Sequence, residues 1–194
     1  VIVATPTKFH EEIVQKLLET NINVFVEKPF SMDLKTGKHL KDLAKQKGLV
    51  NQVGYHNKFI GTFIETKKII DSGYLGEIHH FSGHMYGPVV VSRKDKTWRS
   101  DTSAGGGCLM DYAAHIIDLL NYLVAPIDAV NGAQLFSMYS GKVEDAVFSL
   151  METTDGVPGS INVSWSDYTY RKMSTTVIIT GSNGKIEVDT TELK

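Results

Sequence analysis

Cysteine is nearly absent. Cys108 is the only one in 194 residues, so no disulfide within the chain can staple the fold, and a reducing, cytoplasmic compartment is the expectation. Long hydrophobic runs are missing too: none approaches the roughly 20 residues of a membrane span, which sets the membrane aside as a partner. Neither charge sign dominates. The net charge of −2 offers no basic face to nucleic acid or to an anionic lipid surface. The glycine-rich phosphate cradle G-x-G-x-x-G occurs nowhere. Repeats, low-complexity tracts and an initiator methionine are absent as well. The chain opens inside "VIVATP", a β-branched run with no start signal before it, and closes on "KIEVDTTELK", where a strand is barely finished. A piece of a longer protein is therefore expected. What is present is ordinary globular material: 42% apolar residues suffice for a core, and 22% charged residues suffice to keep it in water.

The first part alternates between strand and helix signals. Residues 1–4 read as a buried strand, and Thr5-Pro6-Thr7 as a turn. Residues 8–19 place Ile13, Val14, Leu17 and Leu18 at helical spacing, and 21–26 read as a second strand. Ser31 and Asp33 are candidate caps for a helix over about 34–47, which Gly48 ends before a third strand in "LVNQVG". Strand–helix–strand–helix–strand in this span predicts parallel strands with crossover helices, half of a doubly wound nucleotide-binding sheet.

The second part has a different texture. Helical spacing over 60–71 is followed by a strand over 77–86. Beyond the central helix come "IDAVNGAQLFSMYS", "DAVFSLMET", "GSINVSWSDY", "STTVIITG" and "GKIEVD", five runs rich in β-branched and aromatic residues. They predict a largely antiparallel sheet, with Asn183-Gly184 as a type I′ hairpin turn. The fold class is α/β plus α+β: the C-terminal half of a Rossmann-type parallel sheet over 1–54, then a domain with a largely antiparallel open sheet and helices on one face over 55–194.

"GGGCLMDYAAHIIDLL", residues 105–120, carries the first chemical candidates. At about 100° per residue, Asp111, His115, Asp118 and Tyr122 fall on one narrow stripe, with Leu109, Ala113, Ile116, Leu120 and Leu123 opposite. The stripe contains no Lys, Arg or Glu, so it is expected to face something specific rather than bulk water. Pattern alone leaves two readings open: a buried, internally satisfied histidine, or a functional pair. The three glycines before it suit a backbone that approaches a ligand or an adjoining domain closely, or simply a flexible loop. "VFVEKP", residues 24–29, is the second candidate. Glu27 and Lys28 follow a buried strand at its C-terminal end, where open α/β sheets bind ligands. A lysine there can donate to a substrate oxygen. A metal-dependent hydrolase using Asp111 and His115 with His79, His80 or His84 is a further reading, but strand alternation separates His79 from the other two and no ligand-rich run completes the set.

Two motifs together resemble the glucose-fructose oxidoreductase / inositol dehydrogenase / rhizopine catabolism family. The stretch "ATP…H…VEKP" supplies Thr5, Pro6, His10, Glu27, Lys28 and Pro29, and "GG…D…H" supplies Gly106, Gly107, Asp111 and His115. The resemblance covers essentially the whole chain. It implies hydride transfer between NAD or NADP and a sugar, cyclitol or nucleotide sugar. Lys28 would hydrogen-bond the reacting oxygen, His115 would be the general acid/base, and Asp111 would orient substrate or imidazole. Thr5, Pro6, His10, Glu27, Lys28, Pro29 and Asn57 would line the cofactor. Tyr86, Trp98, Arg99, Tyr168 and Arg171 are candidates for a sugar pocket, with no metal required. A homo-oligomer is implied, and a non-catalytic binding member of the same fold is the alternative. Lys58 departs from the family, which often has arginine at that position, and Tyr112 departs from a small or aliphatic residue. The gravest departure is the missing glycine-rich turn together with the residue that would choose between NAD and NADP.

Overall fold

The computed structural model describes residues 1–92 and 97–194. Its first region contains β1 (Ile2–Val3), α1 (His10–Glu19), β2 (Val24–Val26), α2 (Leu34–Gln46) and β3 (Asn51–Val53). The strands pair in the order β1-β2-β3, all parallel. Val14 and Leu18 of α1 and Leu40 and Ala44 of α2 close over Val3, Val24 and Val26, the small core that the apolar spacing implied. Asp33 caps α2 by accepting the Thr36 N–H at 2.9 Å, and Gly48 leaves it at φ +62°. Ser31 is no cap; its hydroxyl donates to the Asp33 carbonyl.

The second region contains α3 (Gly61–Asp71), β4 (Ile78–Tyr86), α4 (Ala114–Leu123), β5 (Ile127–Phe136), β6 (Ala146–Thr153), β7 (Pro158–Ser164), β8 (Ser174–Gly181) and β9 (Gly184–Asp189). The sheet order is β5-β6-β7-β4-β8-β9. All its pairs are antiparallel except β4 with β7, a parallel pair at the centre. The β8–β9 hairpin forms, but not by the expected turn. Gly181 pairs with Gly184, so Ser182 and Asn183 are the central residues, and neither has the positive φ that type I′ requires. The neighbouring loop dictates this: Asn183 Nδ2 donates to the Tyr74 carbonyl, and Ser182 Oγ accepts the Glu77 N–H.

Helix α4 lies across one face of this sheet. Ile116, Leu119, Leu120 and Leu123 are fully buried against Phe81, Ile161 and Trp165. A Cβ on Gly83 would come within 2.5 Å of Ile116 Cγ2, so Gly83 marks the face of β4 that meets the helix. Alternation then puts Ser82, His84 and Tyr86 on the opposite face. No helix among the described residues is long and apolar enough to cross a membrane.

Candidate active site

The helix that carries the polar stripe does not begin as an α-helix. Residues Leu109–Ala113 form a π-helical turn, in which the Ala114 N–H reaches back to the Leu109 carbonyl. The β5–β6 connection grips this turn. Glu144 Oε1 accepts the Leu109 N–H at 2.8 Å, and the Glu144 carbonyl accepts the Cys108 N–H at 3.0 Å. Asp145 is itself locked by the Met138, Tyr139 and Ser140 amides and by Trp165 Nε1. One sequence expectation changes here. Leu109 is swung out to 37% exposure by the wide turn instead of joining the core face. The glycines allow close approach, Gly105 to the first region and the other two to their own surroundings: a Cβ on Gly105 would lie 3.1 Å from Met32 Sδ, one on Gly106 2.2 Å from the Arg99 carbonyl oxygen, and one on Gly107 2.5 Å from Glu144 Oε1.

The turn presents Asp111 to the carboxyl ends of the parallel strands. Lys28, just beyond β2, extends its ammonium to Asp111 Oδ1. Arg99 Nε donates to the other oxygen, Oδ2, at 3.1 Å. One buried carboxylate thus holds two cations, and neither of its oxygens bonds His115. Burial opposes ionisation of Asp111, but the Lys28 ammonium and then Arg99 outweigh it and hold the carboxyl below its usual range. Arg99 also lies 4.7 Å over the Trp98 ring, so these two residues reach the site as a stacked pair.

His115 stands one turn further along. Tyr55 meets its ring edge-on with centroids 5.6 Å apart, and His56 does so at 5.5 Å. Nδ1 of His115 is buried without a partner. Burial, then the Lys28 ammonium and His56, push the ring down to about 4, so it is neutral at physiological pH. Asp118, the next residue of the stripe, accepts from Lys58 Nζ at 2.8 Å. Asn57 is buried with its amide nitrogen unpaired.

The other candidates are placed unevenly. Thr5 and Pro6 are exposed beyond β1, and Glu27 sits against Gly54 beyond β3. His10 is fully buried, and each ring nitrogen lies within hydrogen-bond distance of a carbonyl, Nδ1 3.0 Å from that of Pro29 and Nε2 2.8 Å from that of Thr5, so the ring bridges two loops. Pro29 follows a cis bond from Lys28. Tyr86 stacks with His84 and Tyr170 on the sheet face away from α4, so it is not brought to Lys28 and Asp111. Tyr168 and Arg171 are exposed in the same loop as Tyr170. His84 bonds Ser82 on that far face, and no group of three potential metal ligands comes together among the described residues. Tyr55, His56 and Glu144 went unread in the sequence; nothing in "GYHNKF" or "GKVED" announces the ring contacts or the cap. A mainly apolar cleft of about 720 Å³ borders the site at Pro29, Tyr55, Met110 and Ala114, but Lys28, Asp111 and His115 do not line it.

Comparison with known proteins bears on this arrangement. Residues 1–55 match the family model described as an oxidoreductase family with an NAD-binding Rossmann fold, and residues 63–187 match the GFO/IDH/MocA C-terminal domain. The chain is 28% identical over 187 residues to a levoglucosan dehydrogenase of Pseudarthrobacter phenanthrenivorans, covering 84% of this chain and 48% of that protein. It is 27% identical over 170 residues to scyllo-inositol 2-dehydrogenase (NAD(+)) of Bacillus subtilis, again covering 84% and 48%. A solved levoglucosan dehydrogenase in complex with NADH and L-sorbose superposes with a TM-score of 0.94 at 28% identity, over 100% of this chain and 55% of that one. The chain therefore spans about half the length of these relatives.

Proposed function

Because the chain belongs to the GFO/IDH/MocA oxidoreductase family, we propose that it forms the nicotinamide-facing and substrate-facing part of an NAD(P)-dependent dehydrogenase acting on a secondary hydroxyl of a sugar, cyclitol or nucleotide sugar. One observation carries the reading: the Lys28 ammonium meets Asp111 beside a neutral His115 at the carboxyl mouth of a parallel sheet. Relatives named as levoglucosan and inositol dehydrogenases support the substrate class. The 1–54 segment would serve the cofactor, and 55–194 the substrate.

Oxidising a secondary alcohol removes a hydride from carbon and a proton from oxygen. A bound nicotinamide supplies the hydride acceptor. The residues fit that end of a dinucleotide: Thr5 and Pro6 are open at a strand end, Glu27 stands at the end of the next strand against Gly54, and the buried Asn57 amide lacks a partner. They do not offer a pyrophosphate cradle, since no G-x-G-x-x-G is present. Lys28 would donate to the reacting oxygen and stabilise the charge that develops on it. His115, held neutral, would take the hydroxyl proton. Asp111 would keep Lys28 and Arg99 in place, and the Trp98–Arg99 pair would face sugar hydroxyls at the rim. The helix-free face of the large sheet, which exposes Phe148 and Leu150, would pair with a second copy in a homo-oligomer.

The test is a panel of sugars, cyclitols and nucleotide sugars with NAD and with NADP, assayed on the protein that carries this chain together with a complete nucleotide-binding domain. Reduction of the nicotinamide by at least one polyol is expected. No turnover on any member of the panel would overturn the reading.

A further inference from the structure

A histidine that takes a proton at every turnover must lose it before the next. This requirement rests on the role of His115 proposed above. The ring is 5% exposed, and its Nδ1 is sealed from water. The groups facing it are few. Lys28 and Asp111, from the β2 end and the π turn, are bonded to each other. Tyr55, from the segment after β3, already carries its proton, because burial and then Asp118 push its hydroxyl up to about 12. Lys58 and Asp118 are paired at 2.8 Å. His56 remains: an imidazole in edge contact with His115, on a residue open to solvent.

We propose that His56 is the proton outlet of the site, the imidazole through which the proton collected by His115 reaches solvent. The substrate O–H bond breaks and an N–H bond forms on His115. That proton then passes to a ring nitrogen of His56, through a water where the rings stand apart, and leaves from His56 to bulk water or buffer. The hydride goes separately to the nicotinamide of the proposed reaction, so charge and atoms balance. His56 touches neither the substrate nor the reacting carbon; it acts through His115. A charged His56 disfavours a proton on His115, so the two rings exchange one proton rather than holding two.

The experiment compares His56→Phe, which keeps a ring, and His56→Asn, which leaves a gap, with wild type in the intact enzyme. In weak buffer near neutrality, kcat for alcohol oxidation should fall about tenfold in both variants while KM stays within about twofold. Single-turnover nicotinamide reduction should be unchanged, and added imidazole should restore most of kcat in His56→Asn. The His115 titration midpoint, followed by nitrogen NMR, should move upward in both variants. A kcat loss that imidazole does not rescue, an equal loss in single turnover, or wild-type kinetics in both variants would each overturn the outlet. A wild-type enzyme inert on every polyol sinks the dehydrogenase reading instead. The contact is then judged by NMR alone: an upward His115 midpoint supports it and an unmoved one overturns it.

Discussion

The six-stranded sheet covers its inner face with α3 and α4 and builds its core from Trp165, Phe81, Phe63, Ile161 and the leucines of α4. Among the described residues, the three-stranded sheet, by contrast, has helices on one face only. Val3, Val24 and Val26 pack under α1 and α2, while Ile2 on the other face is 74% exposed and Phe25 is 37% exposed. Among the described residues, the buried apolar cluster of the first region is much smaller than that of the second. The candidate site is split across this difference. Lys28 comes from the small core, and Asp111, Arg99 and His115 come with the large one. They meet at the Lys28–Asp111 pair, at the turn Thr102–Ala104 resting on the turn Thr7–Phe9, and at Gly105 against Met32. The alignment of Lys28 with His115 therefore depends on the smaller region staying docked.

The comparison breaks most directly at the large core. Phe81 is 1% exposed, and Gly159 leaves no side chain between its ring and the backbone. Phe81→Ala should cost about 3–5 kcal/mol. Urea unfolding followed by the fluorescence of Trp98 and Trp165, both in the second region, with far-ultraviolet dichroism alongside, should show that region's transition moving early. If both signals kept their wild-type midpoints, the second region would not be the stable one.

A second, nearly equal effect should come from pH. His115 is a base buried in its neutral form, with its ring pushed down to about 4 chiefly by burial. In the unfolded chain the ring takes its proton near 6.5. Between those values the unfolded state binds the extra proton, so stability rises with pH there. The contribution is complete above about 6.5 and is lost as pH falls towards 4, for a total of about 3 kcal/mol. Asp111, held low by its two cations, adds its own loss further into acid. In His115→Gln the slope of urea midpoint against pH between 7 and 4 should flatten. An unchanged slope would mean that this ring is not the group responsible.

Breaking the contact between the regions should cost activity more than stability. Lys28→Ala frees Asp111 to Arg99 alone and removes the donor at the sheet mouth. In the enzyme with a complete nucleotide-binding domain, hydride transfer should fall about 10²-fold or more, with His115→Ala as a companion of similar size. Normal turnover in both would remove their assigned roles.

These expectations draw on features that the sequence showed unequally. The β-branched runs and the helical spacing of Val14 and Leu18 sufficed for the alternating first region, because local propensity and burial agree there. Lys28, Asp111 and His115 could be named since each lies at a chain feature visible on its own: a strand end, or one line of a helix. The π turn could not be read, because it is imposed by Glu144 and Asp145 from a loop more than thirty positions away. For the same reason Leu109 was placed on the wrong face. Tyr86 was legible as an aromatic on a strand, but which face it takes was decided by Gly83 meeting Ile116, a long-range contact. The His56–His115 contact joins residues with no shared period, and only the folded chain brings them together.

The smallest effect concerns an ion pair inside the second region, close to the join. Lys58 and Asp118 are each mostly shielded, at 25% and 20% side-chain exposure, and they tie the segment after β3 to the middle of α4. A pair in this partly screened setting is worth about 1 kcal/mol, well below a core aromatic. Lys58→Met keeps the apolar stem and removes the charge, leaving Asp118 beside Tyr55 without its cation. A double-mutant cycle with Asp118→Asn isolates the pair, and its coupling energy in urea unfolding should come out at about 1 kcal/mol. Lys58→Arg retains charge and reach and should sit near wild type. A coupling energy near zero would mean that the pair adds nothing to the stability of the second region, and that its core carries that region alone.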